Sequence, residues 1–158
     1  MKLLSTVILC SGLVCAASYA ADAVINVAVL NHQQAQKMVS KAEETIRAHH
    51  MGGAVSIVDS FGQPIIFERL DGATLANIEL APKKAHAAVA FGQPTSSFQQ
   101  KISAGNVAVL GNPAVVPLPG GEPIKVNGVV VGAIGVSTPD GKVDAEAAKA
   151  ALSALNAG

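Results

Sequence analysis

Ile124-Lys125-Val126-Asn127-Gly128-Val129-Val130-Val131-Gly132-Ala133-Ile134-Gly135-Val136 is the stretch that decides the fold. Two β-branched runs flank Asn127-Gly128, the dipeptide that supplies the positive φ angles of a type I′ turn, so residues 124–126 and 129–136 read as a β-hairpin. Gly132 and Gly135 inside the second strand mark places where something approaches the backbone closely. Upstream, residues 104–123 carry four glycines and four prolines and read as irregular, a length of loop that in a small domain is functional or covered by a partner. Before it, Thr95 starts a short helix to about Ile102, and an alanine-rich helix runs from around Ile78 or Pro82 to about Phe91. Gly53–Asp59 and Pro64–Leu70 form an earlier hairpin, with Asp59-Ser60-Phe61-Gly62-Gln63 as its turn and Asp71-Gly72 as another. Asn31 caps a first helix running to about Met51, where Gly52-Gly53 stops it. Its predicted buried face is Ala35, Met38, Val39, Ala42, Ile46 and His49, with Gln33, Gln36, Lys37, Lys41 and Glu44 facing water. After the deciding hairpin, Val143–Leu155 reads as the last helix. Hairpins separated by helices predict an α+β domain, an antiparallel sheet covered by helices.

The first 20 residues read differently. Met1-Lys2 precede an apolar run from Leu3 to Ala16, and Ser18-Tyr19-Ala20 follows, the pattern of a secretory signal peptide. The run is short for a membrane span, which needs ~20 residues. Cleavage is expected between Ala20 and Ala21, leaving residues 21–158 as one domain, periplasmic or secreted, with no membrane insertion after cleavage. Both cysteines, Cys10 and Cys15, lie in the signal, so disulfide and thiolate chemistry are excluded from the mature chain. Half of the residues are hydrophobic but only 3% are aromatic, so the core must be built from Val, Ile, Leu and Ala. Eleven basic residues balance eleven acidic ones without a Lys/Arg stripe, which argues against nucleic acid and anionic membrane surfaces as partners.

No phosphate-loop or dinucleotide fingerprint is present, because no helix opens directly behind the glycine pairs. There is no G-x-S-x-G elbow and no H-E-x-x-H, and nothing in the spacing of Ser137, His86 and Asp140 supports a triad. His49-His50 close the first helix. They suit a metal, or they are polar groups favoured by the helix C-terminus; adjacent helical residues point roughly 100° apart, which disfavours one ion held by both. Arg69 and Asp71 either anchor an anionic group or stabilise a turn. Gly120-Gly121 and Gly132/Gly135 form either a backbone cradle or a close packing seam.

Five segments resemble the GlcG/HbpS-like family of haem-binding proteins, which also supplies the C-terminal domain of some corrinoid adenosyltransferases. They are Asp59-Ser60-Phe61-Gly62; Arg69-Leu70-Asp71-Gly72-Ala73; Lys84-Ala85 with Phe91 and Pro94-Thr95; Gly120-Gly121-Glu122-Pro123-Ile124; and Val131-Gly132-Ala133-Ile134-Gly135-Val136-Ser137. The resemblance covers roughly residues 31–156. It implies a three-layer domain, profilin-like or sensor-like, with an antiparallel sheet of about five strands between helices, and a homo-oligomer. It implies haem or a similar flat ligand, and in some members a membrane sensor protein as partner. In the family's K-A-x-T-A segment a threonine is implicated in haem binding; here Ala87 stands at that position, preceded by His86. The candidate cofactor contacts are His86 as the iron ligand, Lys83 and Lys84 for the propionates, Arg69 and Thr95 from the shared motifs, and His49 or His50 if the end of the first helix lines the same cleft. His86 also reads as a surface residue on a polar stripe with Glu79 and Lys83. Three functions follow: an exported haem carrier or sensor accessory, a small-molecule isomerase or hydrolase of a catabolic pathway, and a structural oligomer whose ligand site has decayed.

Overall fold

The structure, a computed structural model, describes residues 28–155. The expected signal peptide and its cleavage site lie outside the described residues. Helix α1 (His32–Ala48) opens on a capping box: the Asn31 side chain accepts from the Gln34 backbone N–H at 2.8 Å, and the Gln34 side chain accepts from the Asn31 N–H at 3.2 Å. Its buried face is Ala35, Met38, Val39, Ala42 and Ile46, as the spacing predicts. His49 is exposed rather than buried, because the helix ends at Ala48 and His50 turns into the left-handed region at φ 54°.

Strands β1 (Ala54–Asp59) and β2 (Pro64–Arg69) form the first hairpin. Helix α2 (Leu75–Phe91) starts earlier than Ile78 or Pro82, and Pro82 lies inside it. The start is fixed by a second capping box between Thr74 and Asn77, which the search for apolar periodicity passes over. Helix α3 (Ser96–Ser103) follows. The segment 104–123 carries one 3₁₀ turn at Val107–Gly111, and β3 (Gly121–Val126) begins three residues before the expected Ile124. Strand β4 (Val129–Ser137) and helix α4 (Gly141–Leu155) complete the order. Asn127 and Gly128 have φ of 51° and 80°, both positive as a type I′ turn requires.

Among the described residues the sheet has four strands, all antiparallel, in the order β2-β1-β4-β3. α1 and α4 pack together on one face and α2 covers the other, which gives three layers. The register of β1 on β4 explains why the layers differ. Val55 pairs with Val136 and Ile57 with Ile134, and these join Met38, Val39, Ile46 and Ala147 in the large core. The alternate residues Ser56, opposite Gly135, and Val58, opposite Ala133, face α2, where the core is Val58, Ala85, Ala88 and Ala133. A Cβ on Gly135 would run into the Ala81 carbonyl oxygen and sit 2.6 Å from the Ala85 nitrogen, so α2 rests backbone to backbone on β4. The close approach expected at Gly135 is therefore helix-on-sheet packing.

Candidate functional site

On α2, Ala81, Lys84, Ala85 and Ala88 point at the sheet with helical spacing. His86 lies off that stripe and is exposed. The turn of the first hairpin reaches it: one oxygen of the Asp59 carboxylate accepts from the Phe61 and Gln63 backbone N–H groups, each at 2.8 Å, and Gly62 has φ 79°. A Cβ on Gly62 would stand 2.8 Å from His86 Cε1, so the imidazole sits against a glycine that must stay bare.

His86 divides two grooves. One, of about 320 Å³, runs between α2 and the hairpin along Ser56, Val58, Pro64, Phe67 and Pro82. The other, of about 250 Å³, runs along Lys83, Ala87, Ala90, Pro113, Ala114 and Val116, so part of the long loop forms its wall. Both are lined mainly by apolar groups. Phe67, in the first groove, is 42% exposed, and Phe61, next to Gly62 in the hairpin turn, is 85% exposed. Lys83 stands at the rim of the second, 3.7 Å from Glu79 one helical turn back.

The other sequence candidates are dispersed. Lys84 cannot meet a propionate at this site. Its side chain is 2% exposed, and its ammonium donates to Asp144 Oδ2 at 2.6 Å and to the Val136 carbonyl at 2.9 Å. Two positions before His86, it points roughly 200° away around the helix. Thr95 is fully buried; its hydroxyl bonds the Leu118 carbonyl at 2.5 Å and accepts from Gly121 N–H at 2.9 Å, tying the end of the long loop to β3. Arg69 ends β2, exposed and lining neither groove. His49 and His50 lie at the end of α1, on the opposite face of the sheet, where His49 Nε2 meets Glu146 of α4 at 3.1 Å. The first helix therefore does not share the His86 cleft. Among the described residues no three His, Cys, Asp or Glu side chains form a metal cluster. No described helix is long and apolar enough to cross a membrane.

A second polar centre lies under α2. Asp144, in the first turn of α4, accepts from Lys84 and, through Oδ1, from Thr138 N–H at 2.6 Å. Gly120, at φ 106°, makes room for the pair, since a Cβ there would stand 2.6 Å from Asp144 Cβ and 3.3 Å from Lys84 Nζ. Burial pushes the Lys84 ammonium below the usual lysine range, against the opposing attraction of Asp144. Burial likewise pushes the Asp144 carboxyl up, opposed by Lys84 and by the bonds from Thr138. The pair lines a pocket of about 180 Å³ with Ser137 and Thr138. Ser137 lines this pocket and neither of the two grooves beside His86, so the imagined triad is separated. Sequence reasoning passes over Asp144, which reads as an ordinary acid in a helix's first turn, and Phe67 and Pro82, which read as part of a strand and as a candidate helix start.

A family model described as "Haem degrading protein HbpS-like" matches residues 30–153. Protein GlcG of Escherichia coli strain K12 is 27% identical over 109 residues, covering 69% of this chain and 81% of that protein. The corrinoid adenosyltransferase PduO of Salmonella typhimurium is 31% identical over 132 residues, or 80% of this chain, but the match spans only 38% of that enzyme. The crystal structure of the PduOC:haem complex superposes with a TM-score of 0.76 at 28% identity, covering 82% of this chain and 96% of that one.

Proposed function

The chain belongs to the HbpS-like family of haem degrading proteins, and on that premise we propose that it binds haem, or a flat ligand of the same kind, at His86. The observation that carries the reading is the position of His86, an exposed imidazole between two grooves walled mainly by apolar groups. A neutral imidazole is a good haem ligand, and a macrocycle needs apolar walls on either side of its iron. Val58, Pro64, Phe67 and Pro82 supply one wall, and Ala87, Ala90 and Val116 the other. Ala87 leaves open the space that a threonine would fill. Lys83 at the rim is the cation within reach of a propionate; Lys84 is not. Bound there, haem would supply redox-active iron, whose chemistry belongs to the cofactor.

The site is open to solvent, which suits a protein that takes up and hands over its ligand. We read the protein as an exported carrier or as an accessory to a membrane sensor, on the strength of the basic and apolar pattern of residues 1–20. Mature protein from the periplasm or medium is expected to begin at Ala21; an intact mass that retains residues 1–20 overturns the export reading. For the ligand, the test is a haem titration followed at the Soret band. Wild type should saturate. His86→Ala should bind about tenfold more weakly, roughly 1.4 kcal/mol, and His49→Ala and His50→Ala should match wild type. Unchanged binding by His86→Ala removes the ligand assignment, and a wild type without a saturable Soret change removes the haem reading.

A further inference from the structure

Lys84 is the largest of the fully buried side chains, yet it reaches a pocket. A buried ion pair is a poor device for stability alone, because desolvating two charges offsets their attraction and an apolar pair of similar volume does as well or better. Its ammonium has two acceptors among the described residues, Asp144 Oδ2 and the Val136 carbonyl, so of its three N–H groups one is left over. The pocket's other walls are largely apolar: Leu80, Leu118, Pro119 and Pro139. At about 180 Å³ it lies below the ~300–1,000 Å³ that takes drug-sized ligands, so its occupant has only a few carbons. The Ser137 hydroxyl, which receives only a long 3.5 Å contact from Asn77, lines it too. A wider groove on the surface shares Leu118, Pro119 and Gly141 with the pocket, and Pro119 lies against Gly141, so the way in from solvent passes the Leu118-Pro119 segment.

We propose that this pocket is a second site, which takes a small aldehyde or ketone and holds it as a Schiff base on Lys84 Nζ. The chemistry needs an amine that can lose its proton, a carboxylate beside it to carry protons, and a site with little water to reverse the reaction. Asp144 stands 2.6 Å from the nitrogen and accepts a proton from the ammonium. The free amine adds to the carbonyl carbon, forming the C–N bond while the C=O π pair moves to oxygen. Asp144 returns the proton to that oxygen, accepts a second one from nitrogen and delivers it as the C–O bond breaks. Water leaves with the two protons, and nitrogen keeps the third in a cationic imine, so atoms and charge balance. Ser137 is placed to hold the carbonyl oxygen during addition. The downward push of burial on the Lys84 ammonium works in the same direction. The site lies on the other side of α2 from His86 and is independent of haem.

The test treats wild-type protein at neutral pH with acetaldehyde and sodium cyanoborohydride, which reduces an imine to an ethylamine, and maps ethyl groups by peptide mass spectrometry. The neighbouring Lys83, whose side chain is 61% exposed, is the internal control. Lys84 should be ethylated about tenfold more than Lys83, despite its burial, because the carboxylate of Asp144 beside it carries the protons of imine formation. The preference should vanish in denaturing urea. Labelling of Lys84 at or below the level of Lys83 in the folded protein overturns the proposal, whatever the outcome of the haem titration.

Discussion

At the scale of single residues, Gly62 and Lys84 carry the sharpest consequences. Gly62 combines a left-handed backbone with contact to the His86 ring. Gly62→Ala should cost about 1–3 kcal/mol, read from chemical denaturation, and should weaken haem binding together with His86→Ala, because the added methyl displaces the imidazole. Lys84→Met leaves the Asp144 carboxylate buried beside an apolar chain and should cost about 3–5 kcal/mol. Lys84→Met with Asp144→Asn should recover much of that loss, because the amide oxygen can still accept from Thr138 N–H while no charge is left unpaired. A double variant as unstable as the single one would show that the pair matters through its shape and not its charge.

The elements carry the next set. Pro82 sits within α2 and has no N–H for the Ile78 carbonyl one turn back. Pro82→Ala should raise stability by about 1–3 kcal/mol in thermal unfolding while stripping the first groove of a wall, so haem affinity should fall as the melting temperature rises. On β3, Glu122 is buried, and burial pushes its carboxyl above the usual range against the pull of Lys149. Its folded pKa exceeds its unfolded one, so the folded state holds the proton more tightly. The penalty is absent at pH below the unfolded value, grows as pH rises through the folded pKa, and is complete above it. Glu122→Gln should therefore raise the melting temperature at pH 7 and leave it unchanged at low pH. These elements were legible in the sequence wherever one local signal sufficed: the Asn127-Gly128 turn, the Asn31 cap and the apolar spacing of α1. The start of α2 is not legible because alanines carry little apolar contrast and Pro82 reads as a beginning. The burial of Lys84 is not legible because its stripe and its partner are decided by the fold: Asp144 lies 60 residues away. His86 stands out in the sequence as an imidazole among alanines, but its seat on Gly62 depends on a hairpin that no spacing places beside it.

For the whole molecule, Phe61, Leu75, Val107, Leu110 and Val129 are large apolar side chains left exposed, surface that a second copy of the chain would cover. Light scattering at micromolar concentration should give a multiple of the chain mass, and a monomer mass would overturn the expected homo-oligomer. The two sides of the sheet also differ in what change they can bear. Between α1/α4 and the sheet lie Met38, Ile46, Ile57 and Ile134, branched and long, so that side should suffer when carbon is removed and leaves a void. Between α2 and the sheet lie alanines against Gly121 and Gly135, where an extra Cβ meets backbone. In a saturation scan that side should suffer when carbon is added. The molecule would then drift in sequence without shrinking on the first side or growing on the second, leaving its outward surfaces, the two grooves among them, as the ground where relatives are free to acquire different ligands.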